Sequence, residues 1–372
     1  MPIEQTLATS VPRSRGARVS PLIWVLVPVV PTDDPNLAWY SDHSMAHAEF
    51  ARAFDALKME WRWQPISMKD HKRVIARIAK ESAGRDTTVL NLCDGDEING
   101  SPGVSIIRAL RKHGLRFTGS DERFYDLTTS KIVMKRLFDA AGVPTAPWAV
   151  VPRDGAGCAP LFQSIGAPLI LKPAISAGSL GIGLKSVVHS HQALRAQLAR
   201  LHDGYRGWSL ADGGAFVERF IDGPEFTTFI VGSAEDRRRA TIYPPVERFF
   251  NPTIPREERF LSFDRLWGLY EEESEIDGGD GELWRYRPAR ADLIERLQEV
   301  SWQAYAAVHG RGYGRVDLRR DRKTGEFLVL EVNAQCGLSE DELYTSIGAI
   351  LRFAKIPYHR AVRTILAASN LP

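Results

Sequence analysis

Near the C-terminal end, two acids, an arginine and an amide recur at alternate positions. In GYGRVDLRRDRKTGEFLVLEVN, two apolar runs flank DRKTGE, whose Lys323, Thr324 and Gly325 suit a hairpin turn. Arg315 and Asp317 lie two apart and share one face of the first strand, and Glu331 and Asn333 do the same on the second. A hairpin centred on Thr324 sets Asp317 against Glu331 and Arg315 against Asn333. Carboxylates opposed across strands repel unless a cation sits between them. Val316, Leu318, Val329, Leu330 and Val332 imply a substantially buried hairpin, where unpaired charge is costly. Oxygen donors with an amide beside them select a hard ion such as Mg²⁺. The competing reading is a solvated hairpin face.

Two further stretches carry chemistry. In PLILKPAISAGSLGIGLKSVV, Lys172 and a loop holding Gly178, Ser179, Gly181 and Gly183 interrupt two apolar runs. Such a loop can turn its N–H groups over phosphate oxygens, with the lysine at its root pairing the same anion. The alternative is a hairpin with a snorkelling lysine. In FVERFIDGPEF, a strand stops at Gly223 and Pro224 and leaves backbone groups free for the edge of a purine. Glu218 and Glu225 flank that break, where they could accept from an exocyclic amine and from ribose hydroxyls, or be ordinary surface glutamates.

The elements that must position these residues alternate along the chain. LIWVLVPVV reads as a buried first strand; although Arg13, Arg15 and Arg18 precede it as in a signal peptide, the apolar run is short and runs into PTDDPN without a small-residue cleavage pattern. Residues 1–20 are expected to be a polar tail. SMAHAEFARAFDALKM and GVSIIRALRKHG have helical spacing, and TTVLNLCDGD is a buried strand ending in an acidic turn at Asp94. Strand and helix in alternation give a parallel α/β layer over 21–120. SKIVMKRLFDAAGVP opens a second unit, 121–214, with Ser130 as its N-cap. A third, 215–372, holds an irregular stretch from about 244 to 290 and a helix from about 290 to 309. The fold class expected is α/β, with α+β character in the C-terminal half.

With 372 residues, 44% of them apolar, the chain suits two or three domains. Its 48 basic and 46 acidic residues leave a net charge of +2, which gives no field for gripping nucleic acid or an anionic membrane. Cys93, Cys158 and Cys336 form no C-x-x-C pair, against both a disulfide framework and a structural zinc site, so a reducing cytoplasm fits. Cys336 reads as a small buried thiol.

Taken in order, SK at 130–131, ILKPAISAGSLGIG, FVERFIDGPEF, GYGRVDL and VLEVNAQCGLS resemble the ATP-grasp superfamily, and within it the D-alanine–D-alanine ligase branch. The resemblance implies a three-domain ATP-grasp architecture behind an N-terminal α/β layer. It implies that Lys131 and Lys172 bind ATP phosphates under the Gly178–Gly183 loop. Glu218, with backbone groups of Arg219 and Ile221, would hold adenine, and Glu225 the ribose. Asp317, Glu331 and Asn333 would hold two Mg²⁺ ions, with Mn²⁺ as the alternative metal, while Arg315 and the Gly337 N–H would face a developing oxyanion. The activity implied is an ATP-dependent carboxylate–amine ligase acting through an acyl phosphate on a small carboxylate donor and an amine acceptor. Alternatives are a true D-alanine–D-alanine ligase of cell-wall synthesis and an ATP-binding protein without ligase activity. Dimers are frequent in the branch, so a homodimer is an expectation.

The chain departs from the branch at three places. The glutamate-containing N-terminal motif is replaced by PTDDPNLAWYSDHS, where Asp33 and Asp34 stand as weak substitutes. The phosphate lysine before the metal hairpin is absent, leaving Arg259 or Arg265 to replace it. Cys336 stands where the branch has proline, followed by the acidic run Glu340, Asp341 and Glu342. Asp94, Glu340, Glu342 and Ser346 are the candidate substrate contacts. The acidic run would repel a carboxylate and draw in a cationic acceptor; otherwise it is a helix start capped by Ser339.

Overall fold

A computed structural model describes residues 21–34, 42–271, 273, 282–343 and 345–370; the tail expected over 1–20 lies outside them. Strand β1 (Leu22–Pro28) is followed by α1 (Ser44–Leu57), β2 (Glu60–Ile66), α2 (His71–Glu81), β3 (Thr87–Asn91), α3 (Val104–Lys112) and β4 (Arg116–Phe117). These strands form a parallel sheet in the order β2-β1-β3-β4. The uninterrupted apolar run of β1 has a physical cause, because both faces of the sheet are covered. Leu22, Trp24 and Leu26 pack with Ile75, Ile78, Ile107 and Leu110, while Ile23, Val25 and Val27 pack with Phe50 and Phe54.

Helices α4 (Glu122–Thr129) and α5 (Lys131–Ala141) lead into β5 (Trp148–Val151), β6 (Leu169–Pro173), β7 (Val187–Val188), α6 (His191–Asp203) and β8 (Ala215–Arg219). The four strands pair antiparallel in the order β5-β8-β6-β7. Strand β8 therefore belongs to this small sheet, and the break expected at 214/215 falls inside it. Residues Ile221 to Pro224 carry the chain onward to β9. Ser130 occupies the N-cap position of α5, but its hydroxyl makes no capping bond.

The third sheet is built from β9 (Glu225–Val231), β10 (Thr241–Ile242), β11 (Val246–Phe250), β12 (Trp284–Pro288), β13 (Tyr313–Arg320) and β14 (Phe327–Ala334). Its order is β12-β11-β9-β13-β14, with β10 on β9. The stretch expected to be irregular thus contains strands β11 and β12 and the short helix α7 (Phe263–Trp267). Their pairing depends on β9, a contact no local pattern reveals. Helix α8 (Ala291–Ala307) covers one face of this sheet through Leu297, Val300 and Ala304. Helices α9 (Ser346–Ala354) and α10 (Tyr358–Ala367) join it to the first sheet, since Ile347, Ile350, Val362 and Ile365 share one core with β1 and β9. Among the described residues, no helix is long and apolar enough to cross a membrane.

Candidate active site

The β13–β14 hairpin has the register read from its turn: Arg315 pairs with Asn333 and Asp317 with Glu331. An irregularity between Asp317 and Leu318 shifts the pairing beyond the acids, so that Leu318 meets Val329. The face that carries Phe229 and Tyr313 also carries two polar rows. In the first, Thr227 donates to Asp317 at 2.9 Å, and the Asn333 amide donates to Asp317 at 3.0 Å and to Glu331 at 3.3 Å. Arg315 grips Asp317 through Nε at 3.1 Å to each oxygen and Nη2 at 2.9 Å. Lys131, at the start of α5, lies 3.2 Å from Glu331 and donates to the Ser176 carbonyl at 2.7 Å.

The two opposed carboxyls respond differently. Burial and the Glu331 charge push Asp317 up despite Arg315. Burial also works to raise Glu331, but Lys131, Arg315 and Lys172 outweigh it and hold the carboxyl at about 2. Arg315, though buried, is held protonated by Asp317. Asp317, Glu331 and Asn333 present only oxygen donors among their acceptor atoms. Among the described residues there is no group of three or more His, Cys, Asp or Glu that could hold a metal by itself. Two carboxylates and an amide suit an ion that completes its shell with water and phosphate oxygens, as Mg²⁺ does.

The second row is Arg248, Glu225 and Arg319, on β11, β9 and β13. Glu225 is buried between the two guanidinium groups. Burial raises its carboxyl, and Arg248 and Arg319 more than reverse this. Arg319 also donates to the Ile221 carbonyl at 2.9 Å and to the Arg259 carbonyl. Arg248 adds a 2.7 Å bond to the Tyr286 hydroxyl. In this structure, then, the Glu225 carboxylate is engaged by two arginines, and the Ile221 carbonyl is taken by Arg319. The Arg219 N–H donates to the Pro147 carbonyl at 2.9 Å and its side chain pairs with Asp321 at 2.9 Å.

Glu218 is the clearest correction. It is not an open acceptor for an exocyclic amine; its carboxylate is buried between Lys135 and Lys172, the latter at 2.6 Å. Burial raises this carboxyl, and the two ammonium groups overcome it to hold it at about 2.

The replacements foreseen for the missing phosphate lysine are used elsewhere. Arg259 donates to the Ile254 carbonyl at 2.8 Å and the Pro252 carbonyl at 2.7 Å. Arg265 is buried against Glu258 at 2.9 Å and Glu273 at 3.4 Å. It lines a cavity of about 390 Å³ between α6 and the segment around α7. That cavity is the larger one, but none of the hairpin acids lines it. A smaller one of about 70 Å³ is walled by Asp94, Asp96, Lys131, Ser176, Glu331 and Asn333, and so includes two of the three predicted metal ligands.

The glycine loop is docked rather than free. The Trp267 indole donates to the Gly178 carbonyl at 3.0 Å, and the Ser179 hydroxyl donates to the Leu261 carbonyl at 2.9 Å. A side chain on Gly178, whose φ is 55°, would meet the Trp267 ring at 2.9 Å. Ile175, Ser176 and Ala177 line the small cavity, whereas Gly181 and Gly183 line the large one.

Asp94, in the turn after β3, stands on the cleft wall. Crowding by protein pushes its carboxyl up, and with Asp96 adding to this against its own N–H and Arg315, it reaches about 6. Cys336 is buried near Arg315, and burial pushes its thiol up to about 12, which disqualifies it as a nucleophile. Gly337 follows it, so the backbone there passes close to Arg315. In the acidic run, Glu340 pairs with Arg52 of α1, and Glu342 pairs with Arg352 at 2.6 Å. The Ser339 hydroxyl donates to buried Glu49 at 2.7 Å and accepts from the Asp341 N–H at 2.9 Å. The cap of α9 is Thr345, with Ser346 buried behind it. Two of the run's three acids are therefore paired within the chain, and neither the run nor Ser346 is among the residues that wall the small cavity. Asp34 lies 3.6 Å from Arg206, away from the hairpin acids.

Sequence reasoning missed Lys135, Arg248, Arg319, Thr227, Ser176 and Asp96. One signal existed: Lys135 follows Lys131 by one helical turn, on the face that α5 buries.

A family profile described as "D-ala D-ala ligase C-terminus" matches residues 137–351, more than half of the chain. The D-alanine–D-alanine ligase of Pseudomonas fluorescens (strain Pf0-1) is 26% identical, covering 80% of this chain and 78% of its own length. That of Nitrosococcus oceani is 29% identical over 73% of each. Among solved structures, the Bacillus anthracis D-alanine–D-alanine ligase complexed with ATP matches with a TM-score of 0.65, covering 94% of this chain and 97% of that one at 17% identity, which speaks for the fold. The motif order, the hairpin register and the extent of the profile match agree, and the chain belongs to the family of the D-ala D-ala ligase C-terminus.

Proposed function

We propose that the protein is an ATP-dependent ligase that joins a small carboxylate to an amine. The observation that carries this reading is the oxygen set Asp317, Glu331 and Asn333 held between Arg315 and two lysines, Lys131 and Lys172. A binding protein without chemistry has no use for an arginine beside the metal acids.

The carboxylate oxygen of the donor attacks the γ-phosphorus of ATP, ADP leaves, and an acyl phosphate results. The amine nitrogen then attacks the acyl carbon, the tetrahedral oxyanion collapses by expelling phosphate, and the nitrogen gives up a proton. Lys131 and Lys172 supply positive charge to the moving phosphoryl group. Arg315 and the Gly337 N–H stabilise the oxyanion. Asp317, Glu331 and Asn333 would hold Mg²⁺, which when bound would supply positive charge against the phosphates. The loop from Ile175 keeps water from the acyl phosphate. Asp94, on the cleft wall with its carboxyl pushed up to about 6, holds an ammonium or accepts its proton.

The test is phosphate release from ATP and Mg²⁺ over a panel of paired acids and amines, beginning with D-alanine because the relatives' names point to it. Release that needs both an acid and an amine, with a matching amide product, is expected. ATP binding without acid- and amine-dependent release across amino acids, their amides and diamines would overturn the reading.

A further inference from the structure

Lys135 is a cation with 1% of its side chain exposed, and the mechanism above gives it no task. An ammonium gives up strong hydration when buried, so the fold must compensate it closely. It pairs with one oxygen of Glu218 and donates to the Thr145 hydroxyl at 2.6 Å. That hydroxyl donates to the Val329 carbonyl at 2.7 Å, which ties the ammonium to the strand bearing Glu331. The other oxygen of Glu218 accepts from Lys172 at 2.6 Å, and Lys172, 14% exposed, is the partner that can reach the cleft.

A carboxylate with a single buried partner resists losing it, because an unpaired charge away from water is strongly destabilising. With Lys135 fixed on its far oxygen, Glu218 keeps a counter-charge when Lys172 turns towards an incoming anion. We propose that Lys135 is a positioning residue that satisfies Glu218 and so makes Lys172 available to the nucleotide phosphates, an inference that rests on Lys172 being a phosphate ligand.

The groups facing Glu218 are Lys135 of α5 and Lys172 of β6. Asp139 of α5 acts on Lys135, while Glu225 of β9 and Glu331 of β14 act on Lys172. Without Lys135, burial would raise the Glu218 carboxyl, and its protonation on mild acidification would release Lys172.

The experiment measures the ATP dissociation constant with Mg²⁺ at about pH 7 and about pH 5, in the full chain and in Lys135→Met, Glu218→Gln, the double variant and Lys172→Met. Lys135→Met should weaken ATP about tenfold at the higher pH, and less at the lower. In the Glu218→Gln background the same substitution should change affinity less than about twofold. Unchanged affinity in Lys135→Met, or an equal loss in both backgrounds and at both pH values, would overturn the inference. If Lys135→Met alone does not fold, the double variant, whose buried pair is replaced by neutral groups, is compared with Glu218→Gln. Equal affinity supports the proposal and a further tenfold loss overturns it. Lys172→Met separates the two levels: if it binds ATP normally, the phosphate reading falls, whereas weakened binding there with normal binding in Lys135→Met removes this inference alone.

Discussion

Replacing Arg315 by methionine should expose the tension built into the hairpin. Arg315 makes three contacts of 2.9 to 3.1 Å to Asp317, and the side chains are 26% and 13% exposed. Removing one partner of a fully buried ion pair costs about 3–5 kcal/mol, and partial access of water reduces this to about 2 kcal/mol. Glu331 stands directly opposite, so Asp317 loses its cation beside a like charge. Without divalent metal, the thermal midpoint should fall by about 2–3 °C for a chain of this length. A divalent cation between the acids does part of the work of the guanidinium, so Mg²⁺ should raise the variant's midpoint more than the wild type's. Turnover with Mg²⁺ should still fall about a hundred- to a thousandfold, the loss seen when an oxyanion donor is removed. The assay pairs thermal unfolding in chelator and in Mg²⁺ with phosphate release at saturating substrates. A variant as stable as wild type in chelator, or one that gains no more from Mg²⁺, would refute the electrostatic account of the hairpin. Normal turnover would refute the oxyanion role.

ATP should raise the unfolding midpoint in Mg²⁺ and do little in chelator, by mass action on the folded form; equal shifts would remove the metal assignment of Asp317, Glu331 and Asn333. Glu218 and Glu331 are held at about 2 against an ordinary glutamate value of 4.5, so their stabilisation is complete above 4.5 and is lost as pH falls towards 2. Glu218→Gln should therefore flatten the fall of the midpoint over that window, and an unchanged slope would show the pair to be unimportant there. Trp267→Ala should loosen the Gly178 loop. Faster amide hydrogen exchange over residues 175–183 and more ATP hydrolysis without an amine acceptor are expected, and unchanged exchange would mean that Trp267 does not hold the loop.

What was legible in the sequence was what local periodicity encodes. A strand alternates its side chains, so once the turn around Thr324 was recognised the Asp317–Glu331 and Arg315–Asn333 pairs followed without knowledge of the rest of the fold. The apolar run of β1, Gly142 in the left-handed conformation closing α5, and the long helix α8 were readable for the same reason. The order of motifs added the family, because several short signals in sequence are far more specific than any one. Tertiary structure alone decided which charges neutralise which. Glu218 finds Lys172 46 residues away, Glu225 finds Arg319 94 residues away, and Glu340 meets Arg52 across 288. A lone glutamate in a sequence reads equally as a ligand or as half of an ion pair, since the choice depends on what desolvates it and which cation the packing brings within reach. The direction of the glycine loop was undecided for a related reason. Its left-handed residues permit several paths, and the one taken is set by Trp267 and Leu261, contacts from a segment whose strand β11 pairs with β9.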